Sequence, residues 1–437
     1  VVDPEAAARE TAAAVGGSYF ALDEARGHWR VVGDRSFDFA PPRLREAERR
    51  PEDGAPRTPP PGSGAAGERE PRMETAEADS RRREPSLRSV EVDLRARDLT
   101  INAMALRRDG SLIDPCGGLG DLRAKRIRMT SRESLLADAV RPLRAVRFAA
   151  TLGFAMEHAT ASLVRASASA QARDPARRPA WERVRDELIA MMASPRAAAA
   201  FARLDESGLL DVYLAELARC RGVQQGGLHH ADVLRHSIEA LDRLLRVFPD
   251  ADAALRWATL LHDVGKPDTA ERLAQRRWTF HGHDALGRTM TLAALRRLRF
   301  PSEVVARAGA LVRYHMLPLP RDERAARRFV HRRRELLPDL LRLMIADREA
   351  ARGPLATEAG RRAYREALGQ VLAIMSERPE PAPLMTGEDV MDLLDLAPGP
   401  RVGEALRLVA EAIAVGDVTD RPGAEALLRR YAEAQGW

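Results

Sequence analysis

The sequence predicts an α+β head followed by a longer all-α remainder, so that the chain as a whole is predominantly α. Three observations carry this. Short segments of alternating polar and apolar residues crowd into the first 40 residues. From Leu99 to the C-terminus, apolar residues recur mostly at helical spacing. Between the two, residues 42–85 are mostly Pro, Gly, Ala, Glu and Arg, with almost no large apolar side chain. At 437 residues the chain exceeds one core, and about three domains are expected.

Taken in order, Pro4 to Val15 is alanine-rich and reads as a helix, ended by Gly16-Gly17. Ser18–Leu22, His28–Val32 and Ser36–Phe39 read as short strands. Residues 42–85 cannot bury enough surface to offset their ordering entropy and are expected to be a disordered insertion. A further strand pair is expected at Ala105–Arg107 and Ile127–Thr130, flanking the turn Asp114-Pro115-Cys116-Gly117-Gly118. The expected divisions are a head over 1–130, neck helices over 131–222, a third domain over 223–352 and a C-terminal helical region over 353–437.

The chain carries 70 Lys and Arg against 64 Asp and Glu, a net charge of +6. Nearly all the positive charge is arginine, since Lys125 and Lys266 are the only lysines. GC-rich coding explains this as readily as a polyanionic partner contacted by guanidinium groups. Two cysteines, Cys116 and Cys220, exclude a disulfide framework and a cysteine-built zinc site. No apolar run is long enough to span a membrane and no signal peptide is visible, so a cytoplasmic location is expected.

Two groups of residues carry chemistry. The first is Arg97-Asp98-Leu99-Thr100-Ile101-Asn102, then Ile113-Asp114-Pro115-Cys116-Gly117-Gly118, then Asp138-Ala139-Val140-Arg141-Pro142-Leu143-Arg144-Ala145-Val146-Arg147. Each has an ordinary alternative: Asp98 as a helix cap, the glycines as a turn, the arginines as a solvated face. Read as one helix, Asp138 and Arg141 project from the same face, while Arg147 lies half a turn away from Asp138. A carboxylate accepts from an exocyclic amino group and a guanidinium donates to a ring acceptor. Such a pair accepts cytosine and adenine and rejects uracil and guanine.

The second group is His236, His262-Asp263, Lys266, His283, His315 and Asp347. Seven of the ten histidines lie between His229 and His315. Neutral imidazole with carboxylate suits divalent metals. The apolar run Ala258–Leu261 implies that His262-Asp263 emerges from a buried helix.

Together, the first motifs resemble the class II tRNA nucleotidyltransferase and bacterial poly(A) polymerase family. The resemblance implies an incomplete polymerase-β-like sheet in the head and nucleotide binding by Arg97, Asp98, Asp138, Arg141, Arg144 and Arg147. The family's Glu-Asp-x-x-Arg element is here Ala137-Asp138-Ala139-Val140-Arg141, with alanine for the glutamate. It also implies CTP and ATP as substrates, tRNA or another RNA 3′ end as partner, and Mg²⁺ held by an Asp-x-Asp pair. That pair is expected just before Val1, which would impair transfer by this chain, and Asp38 is the one substitute carboxylate. The resemblance implies tRNA CCA addition from CTP and ATP, with poly(A) synthesis as the alternative; A-only addition shares the same motifs.

The second group resembles the HD phosphohydrolase superfamily. It implies a divalent metal such as Mn²⁺, Ni²⁺ or Mg²⁺ on His236, His262, Asp263 and Asp347, extended by His283 and His315, with Lys266 on a substrate phosphate. The implied activity is hydrolysis of 2′,3′-cyclic phosphates or phosphate ends. An enzyme whose only working centre is this hydrolase, and a non-catalytic RNA-binding protein, are the rival readings. Oligomeric state is left open.

Overall fold

The computed structural model describes residues 87–437, apart from 108, 228–229, 273–277, 354 and 378–382. Before residue 87 it describes the backbone of three strands and the helical residues Arg9 and Ala13. The expected insertion at 42–85 and most of the first expected helix lie outside the described residues. The chain divides into two compact units, Val1–Ala137 and Asp138–Trp437.

In the first unit, β1 (Ser18–Asp23), β2 (His28–Val32) and β3 (Ser36–Phe39) form an antiparallel sheet in chain order. Alternation of apolar and polar residues suits such strands, and Val31 pairs with Tyr19 and Phe37. Helix α1 (Leu87–Arg95) then leads to β4 (Ala105–Leu106) and β5 (Leu112–Ile113).

The strand pairing departs from expectation. β4 pairs with β5, Ala105 opposite Ile113, and not with Ile127–Thr130. The cause is a local turn: the Asp109 carboxylate accepts from Ser111 N at 2.8 Å, and Gly110 takes a φ of +80°. Such a turn closes a hairpin at less entropic cost than a distant partner does. Met129 instead bridges Leu99. Next come α2 (Gly118–Arg123) and α3 (Arg132–Leu136).

The second unit is mostly helical. It opens with α4 (Arg141–Leu152), α5 (His158–Arg173), α6 (Trp181–Ala193) and α7 (Ala197–Glu206). Next come α8 (Val233–Val247), α9 (Ala253–Leu261), the short α10 (Lys266–Thr269), α11 (His283–Arg297), α12 (Ser302–Tyr314), α13 (Glu323–Arg333) and α14 (Asp339–Ala350). Phe201, Trp257 and Phe300 stack edge-to-face at 5.6 and 5.2 Å, fastening α7 to α9 and to the end of α11. After α15 (Glu358–Met375), three helices, α16 (Gly387–Leu394), α17 (Pro400–Ala414) and α18 (Arg421–Gln435), share a core of Val390, Val402, Ala405, Val409 and Leu428. No helix among the described residues is long and apolar enough to cross a membrane.

Candidate functional site

In the first unit, Arg97 and Asp98 sit in the turn after α1. The Arg97 guanidinium donates to Asp93 Oδ2 at 3.1 and 3.3 Å and to the Asn102 carbonyl at 3.1 Å. Asp98 is buried, and its Oδ1 accepts from Leu99 N at 3.0 Å and Asn102 Nδ2 at 3.4 Å. The glycine turn frames this loop. Asp114 accepts from Gly118 N and Leu119 N at 2.7 and 3.0 Å, and a Cβ on Gly118 would sit 2.0 Å from the Thr100 carbonyl oxygen. Buried Asp121, which sequence reasoning passed over, accepts from Thr100, Arg126 and Arg128, each at 2.7 Å. Burial opposes its ionisation, but these donors hold its carboxyl below the usual range. Asp38 lies in β3 opposite Arg30. Its side chain is outside the described residues, so its fitness to hold Mg²⁺ stays an expectation.

In the second unit, the expected one-helix geometry of Asp138 and Arg141 is corrected. α4 begins at Arg141 with Pro142 in its first turn, and Asp138 lies in the preceding turn. Pro142 is suited to the first turn of a helix, where its missing N–H costs nothing. The bidentate partner of Asp138 is Arg183 on α6, with Nη1–Oδ1 at 3.0 Å and Nη2–Oδ2 at 2.5 Å. Oδ1 also accepts from Val140 N at 3.1 Å. The turn is held by Gln171 on α5, which donates to the Ala139 carbonyl at 3.0 Å while accepting from Tyr213 at 2.6 Å. Burial opposes ionisation of Asp138, yet Arg183 and the Val140 N–H hold its carboxyl below its ordinary value.

Arg144 and Arg147 both reach Glu187, one turn beyond Arg183, at 3.4 and 2.5 Å. α6 therefore joins Asp138, Arg144 and Arg147 through two of its own side chains. Arg183 and Glu187 were readable only as an i, i+4 pair within a neck helix.

The histidine–aspartate group converges from five helices of the same unit. α8 buries Val233, Leu234, Ser237, Ala240, Leu241 and Leu244 along one stripe, and His236 lies on it. α9 is buried almost throughout and delivers His262 and Asp263 at its end, each 1% exposed. His283 starts α11, His315 ends α12, and Asp347 comes from α14.

Asp263 stands between two subsets. Its Oδ2 is 3.1 Å from His262 Nε2 and 3.9 Å from His236 Nε2; Asp347 Oδ1 is 2.8 and 3.6 Å from His236 and His262 Nε2. Its Oδ1 is 3.4 Å from His283 Nε2 and 3.7 Å from His315 Nε2. The Nδ1 atoms of His262, His283 and His315 lie 2.7–2.8 Å from the carbonyls of Thr259, Phe280 and Val312. A carbonyl only accepts, so each Nδ1 carries the proton and each Nε2 faces inward. These three Nε2 atoms and Asp263 Oδ1 are buried without a hydrogen-bond partner. Orphaned buried donors and acceptors cost free energy unless something binds them.

Ligands at about 2.1 Å from one cation lie about 3–4 Å apart, which these spacings match. The residues therefore fit a divalent metal. Burial disfavours charge on His262, but Asp263 and Asp347 outweigh it and raise its pKa to about 10. Burial likewise opposes ionisation of Asp263, yet His262 and Lys266 hold it well below the usual carboxylate range. Burial lowers His315.

Lys266, expected on a substrate phosphate, is bonded within the cluster. It is 7% exposed, and its ammonium donates to Asp263 Oδ2 and Gln225 Oε1, both at 2.6 Å. Three residues after Asp263 on a tight turn, it points back at that carboxylate and orients it. His230 pairs with Glu239 at 3.2 Å and His281 is exposed, neither within the cluster; His229 is outside the described residues.

A framed Arg-Asp turn in an α+β head, a neck that fixes an aspartate, and a helical bundle carrying a histidine–aspartate cluster are the arrangement expected of a nucleotidyltransferase with an HD domain. Comparison with known proteins agrees. The poly A polymerase head domain matches residues 68–128, starting inside the stretch expected to be an insertion. The probable RNA and SrmB-binding site of polymerase A matches 153–220, in the neck, and the HD domain matches 233–352. The A-adding tRNA nucleotidyltransferase of Deinococcus radiodurans is 48% identical over 434 residues, covering 99% of this chain and 90% of that protein. The CC-adding tRNA nucleotidyltransferase of Thermus thermophilus is 39% identical over 442 residues, covering 100% and 90%. A CCA-adding enzyme solved with ATP shares the fold at a TM-score of 0.54 and 17% identity, covering 98% of this chain and 85% of that one. The chain belongs to the class II tRNA nucleotidyltransferase family.

Proposed function

We propose that this chain adds nucleotides to the 3′ end of tRNA, and that its addition is the terminal adenosine from ATP. The sequence pointed to CCA addition as a whole. The strong likeness to an A-adding relative, with a CC-adding one behind it, favours a divided task. The RNA 3′-hydroxyl attacks the α-phosphorus of ATP, the α–β bridging bond breaks and pyrophosphate leaves. Mg²⁺ would supply charge stabilisation at the phosphates.

The observation that carries the reading is the state of the Asp138 carboxylate. Arg183 and the Val140 N–H take three of its roughly four lone-pair positions, leaving one on Oδ2. An exocyclic amino group fits that position; the carbonyl of uracil or guanine does not. Cytosine and adenine both present such an amino group, so Asp138 supports amino-bearing bases as a class, and the choice of adenosine rests on the likeness to the A-adding relative. The test is nucleotide binding by the Asp138→Ala variant. Preference for ATP and CTP over GTP and UTP should fall by more than tenfold. An unchanged preference would remove the base-reading role.

A second activity is favoured by the inward-facing, orphaned imidazole nitrogens. We infer a metal-dependent phosphohydrolase at the histidine–aspartate site. Bound metal would lower the pKa of a water near phosphorus. His236, His262, Asp263, His283, His315 and Asp347 hold it, and Lys266 keeps Asp263 ionised and aimed. Manganese-dependent hydrolysis of a 2′,3′-cyclic nucleotide, abolished by His262→Ala, is the expected result. Protein that binds no manganese, nickel or magnesium would refute it.

A further inference from the structure

Lys266 spends two of its three donors on Asp263 and Gln225, so a second cation near the histidine–aspartate cluster is worth seeking among the described residues. A cavity of about 230 Å³ opens beside the cluster, lined by Phe280, His281, His283, Asp284, Arg313 and Met316. Its lining includes His283, whose buried Nε2 faces Asp263 at 3.4 Å, so the cavity and the ligand cluster share that residue. The wall is the N-terminus of α11, a 15-residue helix whose first turn favours an anion. Gly282 holds φ at +78°, which lets the chain turn and start the helix at His283.

Arg313, near the end of α12, also lines the cavity, with its side chain 43% exposed. It is ion-paired with Asp284, the residue after the ligating His283. A guanidinium half in solvent, bordering the same cavity as a metal-facing imidazole, has the planar fork that grips phosphate oxygens. Asp284 occupies that fork in the resting protein and competes with an incoming anion.

We propose that Arg313 is the phosphate-binding residue of the histidine–aspartate site, and that Asp284 restrains it until a phosphoester enters. The inference rests on the phosphohydrolase reading. A cavity of about 230 Å³ suits a terminal or cyclic phosphate. Arg313 moves no proton; it holds non-bridging oxygens while the reaction occurs at the ligand cluster.

The experiment is isothermal titration of the manganese-loaded full chain with inorganic phosphate, with bound manganese measured by elemental analysis in every variant. Arg313→Gln should weaken phosphate binding about tenfold or more, the loss expected for one charge-assisted contact, and Arg313→Lys should fall between. Asp284→Asn should tighten it, because the competitor for the guanidinium is gone. Manganese content should be unchanged in all three. An unchanged phosphate affinity in Arg313→Gln overturns the proposal. So does weaker binding in Asp284→Asn, which would make that residue a scaffold or a ligand. Wild-type protein that binds manganese but no phosphate overturns this inference alone; protein that binds no manganese removes the underlying reading.

Discussion

Replacing Gly265 by alanine should damage the metal site without touching a ligand. Gly265 lies between Asp263 and Lys266 in the turn after α9, in ordinary helical geometry, so alanine carries no backbone strain there. The obstacle is steric. A Cβ would sit 2.2 Å from the His283 carbonyl oxygen and 2.9 Å from Gly287 N, both backbone atoms of α11. Ordinary contact begins at 3.4 Å, so α11 or the turn must shift by about 1.2 Å. His283 Nε2 and Asp263 Oδ1 are 3.4 Å apart, and a displacement of that size takes one out of reach of a shared cation bound at about 2.1 Å. Overpacking of this kind costs about 1–3 kcal/mol. Thermal melting and a manganese titration are the assays. A lower melting temperature with at least tenfold weaker manganese binding is expected. A variant matching wild type in both would refute the close approach of the turn to α11.

Other outcomes follow from the same geometry. Arg183→Ala removes a partly exposed ion pair, worth less than about 1 kcal/mol once solvent screening is counted, so melting should barely move. Its preference for ATP and CTP over GTP and UTP should nevertheless fall, because Asp138 loses its fixed orientation; competition binding measures this, and unchanged preference contradicts it. Manganese affinity should rise by about tenfold per pH unit between pH 6 and 9. The reason is that His262, with its pKa raised to about 10, must release one proton to each metal bound below that value. Affinity flat over that range would contradict the assignment of His262.

Much of this site was legible because its signals are local. An apolar run before His262-Asp263 announces a buried helix end, and that helix does bury both residues. The strands at 18–39 alternate and are found where alternation puts them. What was not legible depends on distant partners or on helix starts. Asp138 looked helical because Arg141 follows by three, yet Pro142 was the signal that the helix opens at Arg141. Its true partner, Arg183, is 45 residues away. Lys266 was read from its charge and its spacing after His262-Asp263; only packing shows that Asp263 and Gln225 take two of its three donors. Asp121 carries no motif, and its role comes from three donors converging in a folded loop.

The central claim is 3′-end synthesis on tRNA, and the most direct measurement is sequencing of tRNA 3′ ends after incubation with the protein, Mg²⁺, CTP and ATP. Two substrates are compared, a tRNA ending at its discriminator base and one already carrying two cytidines. The account predicts a single adenosine added to the second and no addition of uridine or guanosine when UTP and GTP are supplied. Failure to extend either tRNA, or extension without regard to base, would contradict it.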